Sequence, residues 1–262
     1  MALLLGPAFS HSAVVKHQRQ PLSTERILNR IREAHILADI PKDAFNSFLF
    51  SGCMRIDQNL MPKTAPQANL NCINEETGFL YPSLAYVSVT IGPTRVTELV
   101  DTEQGKGWHI IDPATFGVSN RSRTISVLQK IKYDALIENA QRSLPALLAV
   151  LQSSEQLDGT QVSVVSEANE IVLKWQTEHS TNEFFFNPKT FLCEKQVRTI
   201  GTGKSIMKYS NYKRVGNVML PHTIVAAKKD GTTMATRDIR KWELAMQWPK
   251  DHFHPETIRV LH

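Results

Sequence analysis

Gly201-Thr202-Gly203-Lys204-Ser205 has the composition of the end of a phosphate-binding loop, where glycine amides cradle phosphates and a lysine reaches them. The full pattern needs a glycine at position 198, where Arg198 stands, and a helix afterwards. Ile206, Lys208 and Tyr209 read as strand instead, so a hairpin turn is the better account and nucleotide binding is rejected. His252-x-His254 could set two imidazoles on one side of an extended segment. No Cys or acidic ligand stands at a metal-binding spacing, and neither HExxH nor paired CxxC occurs. Solvated histidines are the preferred reading. Trp108-His109 reads as a strand pair with Trp108 packed. No GxSxG elbow is present, and Glu167, Glu170, Glu178 and Glu183 fall at turn-like sites where carboxylates are ordinarily solvated. The chain carries no positive sign of catalysis, a cofactor or a metal.

Two features suit binding. Phe45, Phe48, Phe50, Tyr86, Trp108, Trp175, Phe184–Phe186, Phe191, Tyr209, Tyr212 and Trp242 fall on predicted strands or their edges. In a closed sandwich they are simply core. In an open barrel they cover a concave face that helices and a hydrophobic ligand complete. The second feature is basic: Lys189, Lys195, Arg198, Lys204, Lys208, Lys213 and Arg214 are accompanied only by Glu194. A solvated outer sheet face that discourages edge aggregation is the main reading. A dock for anionic headgroups or an acidic partner is the sharper one.

The elements that must position these residues alternate in period. Ser23 caps a helix with Ile27, Leu28, Ile31 and Ala34 on one stripe, and Pro41 ends it. Phe45–Ile56, Ala68–Ile73, Leu84–Ile91, Thr94–Val100 and Lys106–Ile111 read as strands. Ile125–Ala140 has helical spacing, and Pro145 opens a second helix through Leu151. Val162–Val165, Ile171–Trp175, Glu183–Phe186, Phe191–Ile200, Ser205–Val215, Val218–Ala227 and Thr233–Met246 are again strands. Hairpin signals such as Gly216-Asn217 and Asp230-Gly231 punctuate them. Tight turns force antiparallel pairing, since a parallel crossover needs a dozen or more residues. The result is a meander interrupted once by helices.

At 262 residues, with 42% hydrophobic and 21% charged residues, the chain has the composition of a soluble globule and room for a large core. The net charge of +5 is scattered without long like-charge runs, which disfavours nucleic acid, and no apolar stretch approaches the ~18 residues of a membrane span. Ala2–Leu5 with Ala8-Phe9, followed by small-x-small sites near Ser10–Ala13, looks like the tail of a signal peptide lacking its basic start; an irregular N-terminus is the other reading. Cys53 and Cys72 are symmetric about Pro62-Lys63, which would place them opposite each other in a hairpin and within disulfide reach. Buried free cysteines are the alternative.

Tyr209–Pro221, with Tyr-x-x-Val, a Gly-containing turn and Val-x-Leu-Pro, resembles the late hairpin of periplasmic lipoprotein carriers of the LolA/LppX/RseB type. Gly105-Lys106-Gly107-Trp108 and the Asn187-Pro188-Lys189-Thr190 turn match further steps in that family's order, over roughly residues 23–253. The usual Asp of that turn is Asn187, and Gly216 precedes Asn217 where the family has the reverse order. The resemblance implies an α+β fold: one strongly curved antiparallel sheet forming an unclosed β-barrel, with helices Ser23–Asp39 and Ile125–Leu151 over its mouth or concave side. Residues 1–21 are then a leader remnant and 22–262 a single LolA-like domain. It further implies a non-enzymatic, soluble periplasmic carrier of lipoprotein or lipid acyl chains, with a membrane protein as donor or acceptor. Phe48, Phe50, Tyr86, Trp108, Trp175, Phe185, Tyr209 and Trp242 are the expected cavity residues, and the family's gating arginine has no motif to place it. A regulator of RseB type and an enzyme using the same cavity are the alternatives.

Overall fold

The computed structural model describes residues 23–38, 40–41, 44–57, 72–80, 83–113, 123–141, 143–152, 162–167, 170–176, 180–248, 252–256 and 258. The expected leader and most of the Cys53–Cys72 loop lie outside them.

Thirteen strands form one antiparallel sheet in the order β6-β5-β4-β3-β2-β1-β13-β12-β11-β10-β9-β8-β7. The first arm is β1 (Ser47–Ile56), β2 (Ile73–Leu80), β3 (Leu84–Ile91), β4 (Thr94–Asp101), β5 (Lys106–Pro113) and β6 (Thr124–Val127). The second is β7 (Val162–Glu167), β8 (Glu170–Gln176), β9 (Ser180–Phe186), β10 (Cys193–Ile200), β11 (Gly203–Val215), β12 (Val218–Lys228) and β13 (Thr233–Leu244). Pairing of β1 with β13 joins the arms, while β6 and β7 remain edges, so the sheet is unclosed. Between those edges the chain forms α2 (Lys130–Gln141) and α3 (Leu144–Gln152).

Local irregularities supply curvature. Register shifts occur at Ser51/Gly52 against β13, at Cys193/Lys195 against β9 and at Ala226/Ala227 against β13; bulges of this kind bend a strand and raise its twist. Gly52 is required at its bulge because a Cβ there would run into the Asp238 carbonyl. The Gly216-Asn217 turn forms with Gly216 at φ 58°, between paired Val215 and Val218. Pro221 sits in β12 beside another irregularity, Asn211 at φ 53°, and before the β12–β13 ladder begins at Thr223. Its missing N–H therefore breaks no bond to β13.

The sheet's two faces carry separate cores. On the inner face, Phe48, Phe79, Leu173, Phe184, Phe186 and Trp242 pack with helix residues Ile27, Ile31, Leu144, Leu147, Leu148 and Leu151. Outside the first arm, Leu49, Tyr86, Leu99 and Ile110 pack with Trp108, Trp248, Phe253 and Ile258, so the C-terminal segment covers that face. Helix coverage of the inner face is partial and unequal. α3 is buried along most of its length, whereas α2 leaves Ile131 77% exposed and buries Leu136.

Helix α1 (Thr24–His35) starts at Ser23, whose Oγ accepts from the Arg26 N–H, and Arg32 Nε donates to the Leu151 carbonyl at the end of α3. At its C-terminus the fully buried His35 lies 3.1 Å (Nδ1) from the Met219 carbonyl, and its Nε2 accepts the Cys193 N–H at 3.2 Å. These contacts require a neutral ring with the proton on Nδ1.

Three expectations are corrected. β2 runs over Ile73–Leu80, past the end of the strand expected at Ala68–Ile73, whose 68–71 lie outside the described residues; the polar Asn74-Glu75-Glu76 run hides this extent. Thr124–Val127 is strand, not the start of a helix, because Ile125 pairs with Ile110 and packs on the outer core. Cys53 faces Asn74, so Cys72 is diagonal to it rather than opposite; the two are disulfide-bonded with Cα atoms 5.1 Å apart.

Burial holds the His35 pKa down at about 4, against 6.5 for a free imidazole. Its depressed pKa makes the contribution to stability complete above pH 6.5 and lost progressively as pH falls toward 4. The loss should approach about 3 kcal/mol. Urea unfolding across this range checks it: His35→Gln should flatten that part of the profile, and an unchanged profile would contradict the assignment.

Candidate functional site

Where the sheet's curvature leaves α2 and the start of α3 standing off the inner face, a cavity of about 140 Å³ opens. Strand alternation and register determine its wall. Phe50, Thr77 and Val87 stand in one cross-strand row of β1, β2 and β3. Phe48 and Ala85 come from the neighbouring row, through Phe79. From the second arm come Gln196 opposite Met207, then Tyr209 opposite Ile224 and Ile224 opposite Arg237. Leu136 and Asn139 of α2, with Ser143, form the roof.

The wall is mainly apolar but contains a defined polar chain. Tyr209 Oη donates to Gln196 Oε1 at 2.6 Å, and Gln196 Nε2 donates to Asn182 Oδ1 at 2.9 Å. Arg198 Nε donates to the same Asn182 oxygen at 3.3 Å, and Arg198 Nη1 donates to Asn139 Oδ1 of α2 at 2.6 Å. Burial pushes the Tyr209 hydroxyl up, so it serves as a neutral donor. On the facing wall Arg237 Nε makes a forked contact with Glu75, at 2.8 and 3.0 Å to the two carboxylate oxygens. Glu75 is 5% exposed, which makes this pair the cation's compensation and the carboxylate's.

The expected site residues separate by face. Phe48, Phe50 and Tyr209 line the cavity. Trp242 stands beside them on the same inner face without lining the cavity, 5.1 Å from Phe50 and 6.3 Å from Phe48 between ring centroids, and its indole N–H donates to the Pro221 carbonyl. Trp175 is buried in the inner core without reaching the cavity. Tyr86 and Trp108 belong to the outer face: Tyr86 donates to Glu76 at 2.6 Å and Trp108 joins the outer core. Phe185 is also outside, with the Lys195 ammonium 3.6 Å from its ring centroid, because Phe184 and Phe186 take the inward parity. The basic stretch likewise divides: Arg198 turns inward and Arg214 bonds Gly216 and Asn217 in its own hairpin turn. His252 is buried and stacked on Trp248 at 4.6 Å rather than solvated.

Missed from sequence were Glu75, Thr77, Val87, Leu136, Asn139, Gln196, Met207, Ile224 and Arg237. Parity counted outward from Phe48 and Phe50 would have found the strand residues, once the register was known. Among the described residues no three His, Cys, Asp or Glu side chains come together as metal ligands, and no helix is long and apolar enough to cross a membrane.

Fold and site together define an unclosed antiparallel half-barrel with an apolar cavity beneath a helical roof. No protein-family model matches the chain, and no curated protein matches it. Similar solved structures include a LolA superfamily protein from Nitrosomonas europaea, at 15% identity and TM-score 0.46 over 89% of this chain and 98% of that one. A putative outer membrane lipoprotein-sorting protein domain from Vibrio parahaemolyticus matches at 8% identity and TM-score 0.39 over 88% and 96%. The Pseudomonas aeruginosa MucA/MucB complex matches at 12% identity and TM-score 0.27, over 87% of this chain and 59% of that one. The LolA type that Tyr209–Pro221 resembles is thus among the similar structures.

Removing one partner of the Glu75–Arg237 pair should be costly. Arg237→Leu leaves a buried carboxylate without its counter-charge and should destabilise the fold by about 3 kcal/mol. The Glu75→Leu/Arg237→Leu double variant should recover much of that loss. Equal stability of the single and double variants in denaturant titration would show that the pair does not act as a unit.

Proposed function

We propose that the chain is a non-enzymatic, soluble periplasmic carrier that shelters acyl chains of a lipid or lipoprotein under α2. The observation that carries this reading is the apolar cavity roofed by α2, a helix that leaves Ile131 77% exposed. A volume of about 140 Å³ is close to that of an engineered cavity of ~150 Å³ that takes benzene, and below the ~300–1,000 Å³ of ordinary ligand pockets. An acyl chain therefore requires α2 to move. Leu136 is the main apolar anchor among the described side chains of α2, and Arg198–Asn139 is a polar one facing the cavity. Elements with few buried apolar contacts are those that open at low free energy. Each methylene that then replaces water at the wall contributes about 0.8 kcal/mol.

The Cys53–Cys72 bond fits an oxidising compartment such as the periplasm. A membrane-protein donor or acceptor is part of the proposal through the sequence resemblance. Among the described residues no arrangement of nucleophile, base and oxyanion donors in the cavity favours the enzyme reading, whereas an apolar wall suits a chain of methylenes.

Displacement of a fluorescent long-chain fatty acid tests the reading. Wild type should bind with micromolar or better affinity, about −8 kcal/mol. Met207→Glu and Ile224→Glu place a charge on the cavity wall and should abolish binding in folded protein. Phe185→Glu, on the outer face, should leave it unchanged. Arg198→Ala should speed uptake by loosening α2. Absence of any amphiphile binding to wild type would overturn the carrier reading, and loss with Phe185→Glu alone would put the site elsewhere.

A further inference from the structure

The β10–β11 turn at Gly201-Thr202, rejected as a nucleotide loop, lies at one end of the half-barrel beside a second turn. Ser205 pairs with Lys228, so the β10–β11 and β12–β13 hairpin tips point the same way. Lys204, Lys228, Lys229 and Asp230 line one shallow cleft between them, and all are exposed. Ile200, at the head of the first turn, is 47% exposed. Asp230 is engaged by its own turn, its Oδ1 accepting the Thr232 N–H at 2.9 Å. Among the described residues no ion pair involves Lys204, Lys228 or Lys229. On the outer face, which Lys204 shares by parity, Lys195 stands directly opposite Lys208, with Val197 and Ile206 half-buried beside them. Like charges in such a cross-strand pair repel, and an apposed anionic surface relieves the repulsion.

We propose that these two hairpin tips dock on an anionic phospholipid surface. Ile200 enters the interfacial region, and Lys204, Lys228 and Lys229 meet lipid phosphates. The residue types favour a membrane over an acidic protein. The cations at the tips are all lysine, and no Arg, Tyr or Trp stands among residues 200–204 and 228–232. Protein interfaces are enriched in those three and depleted in lysine, whereas lysine near an anionic bilayer attracts it without directional bonding. The tips are also close to the cavity. Arg198 precedes Ile200 by two residues and Met207 follows Lys204 by three, roughly 7–10 Å along a strand. The proposal stands apart from the carrier reading, because adsorption needs nothing in the cavity.

Vesicle sedimentation with the full chain tests it. Binding to phosphatidylcholine vesicles containing phosphatidylglycerol is expected, with little to pure phosphatidylcholine and a decline as salt rises. Each of Lys204→Gln, Lys228→Gln and Lys229→Gln should lower partitioning about fivefold. Ile200→Asp should also weaken it, while Lys213→Gln, at the far end of β11, should not. All these positions are exposed, and circular dichroism verifies the fold of each variant. Wild-type partitioning by the triple lysine variant, or equal binding to both vesicle types, would overturn the proposal. Binding to polyglutamate without binding to vesicles would overturn it in favour of an acidic protein partner.

Discussion

Pairing of the first strand with the last, β1 with β13, is the interaction on which the rest of the structure depends. It turns two separate meanders into one sheet and sets Phe48 and Phe50 against Trp242. The bulge at Ser51/Gly52 sits in this same ladder, where only a glycine leaves room for the Asp238 carbonyl. Curvature and joining are thus set in one place. With the edges β6 and β7 left unpaired to each other, the inner face must be covered by something other than strand, and the chain supplies α2 and α3 there.

The coverage is uneven in a way that has consequences. α3 is apolar on most sides and buries Leu144, Leu147, Leu148 and Leu151, so its displacement exposes a large apolar area. Among its described side chains α2 buries Leu136, holds Tyr133 partly buried, and contacts the sheet's Arg198 through Asn139. The polar chain Tyr209–Gln196–Asn182–Arg198 keeps that arginine oriented beneath the roof. The pairing of half-buried Arg237 with buried Glu75 fixes the facing wall, since an alternative register would strand the carboxylate. Lys132 of α2 also pairs with Glu98 of β4 at 2.7 Å, so the described contacts of the roof are largely polar where those of α3 are apolar.

Much of this order was legible in the sequence because turn chemistry and strand alternation are local. Leu84–Ile91 was bounded correctly by its own apolar run and Gly92-Pro93, and Gly216-Asn217 by the φ that its glycine adopts. The failures were non-local. β2 was hidden because its inward Glu75 finds a cation only across the β1–β13 junction, and Glu76 finds the Tyr86 hydroxyl only once β3 is paired. Phe185, Tyr86 and Trp108 were assigned to the cavity by residue type, but their side is decided by register. A sheet with apolar cores on both faces gives no compositional clue to which face an aromatic residue takes.

The central claim is that the cavity beneath α2 shelters acyl chains. Native mass spectrometry of the protein purified from its own cells tests it most directly. The account predicts a population carrying an added mass equal to a lipid or a lipid-modified polypeptide, released when α2 is destabilised by Leu136→Ala. An unmodified mass alone, or a retained polypeptide without acyl groups, would contradict it.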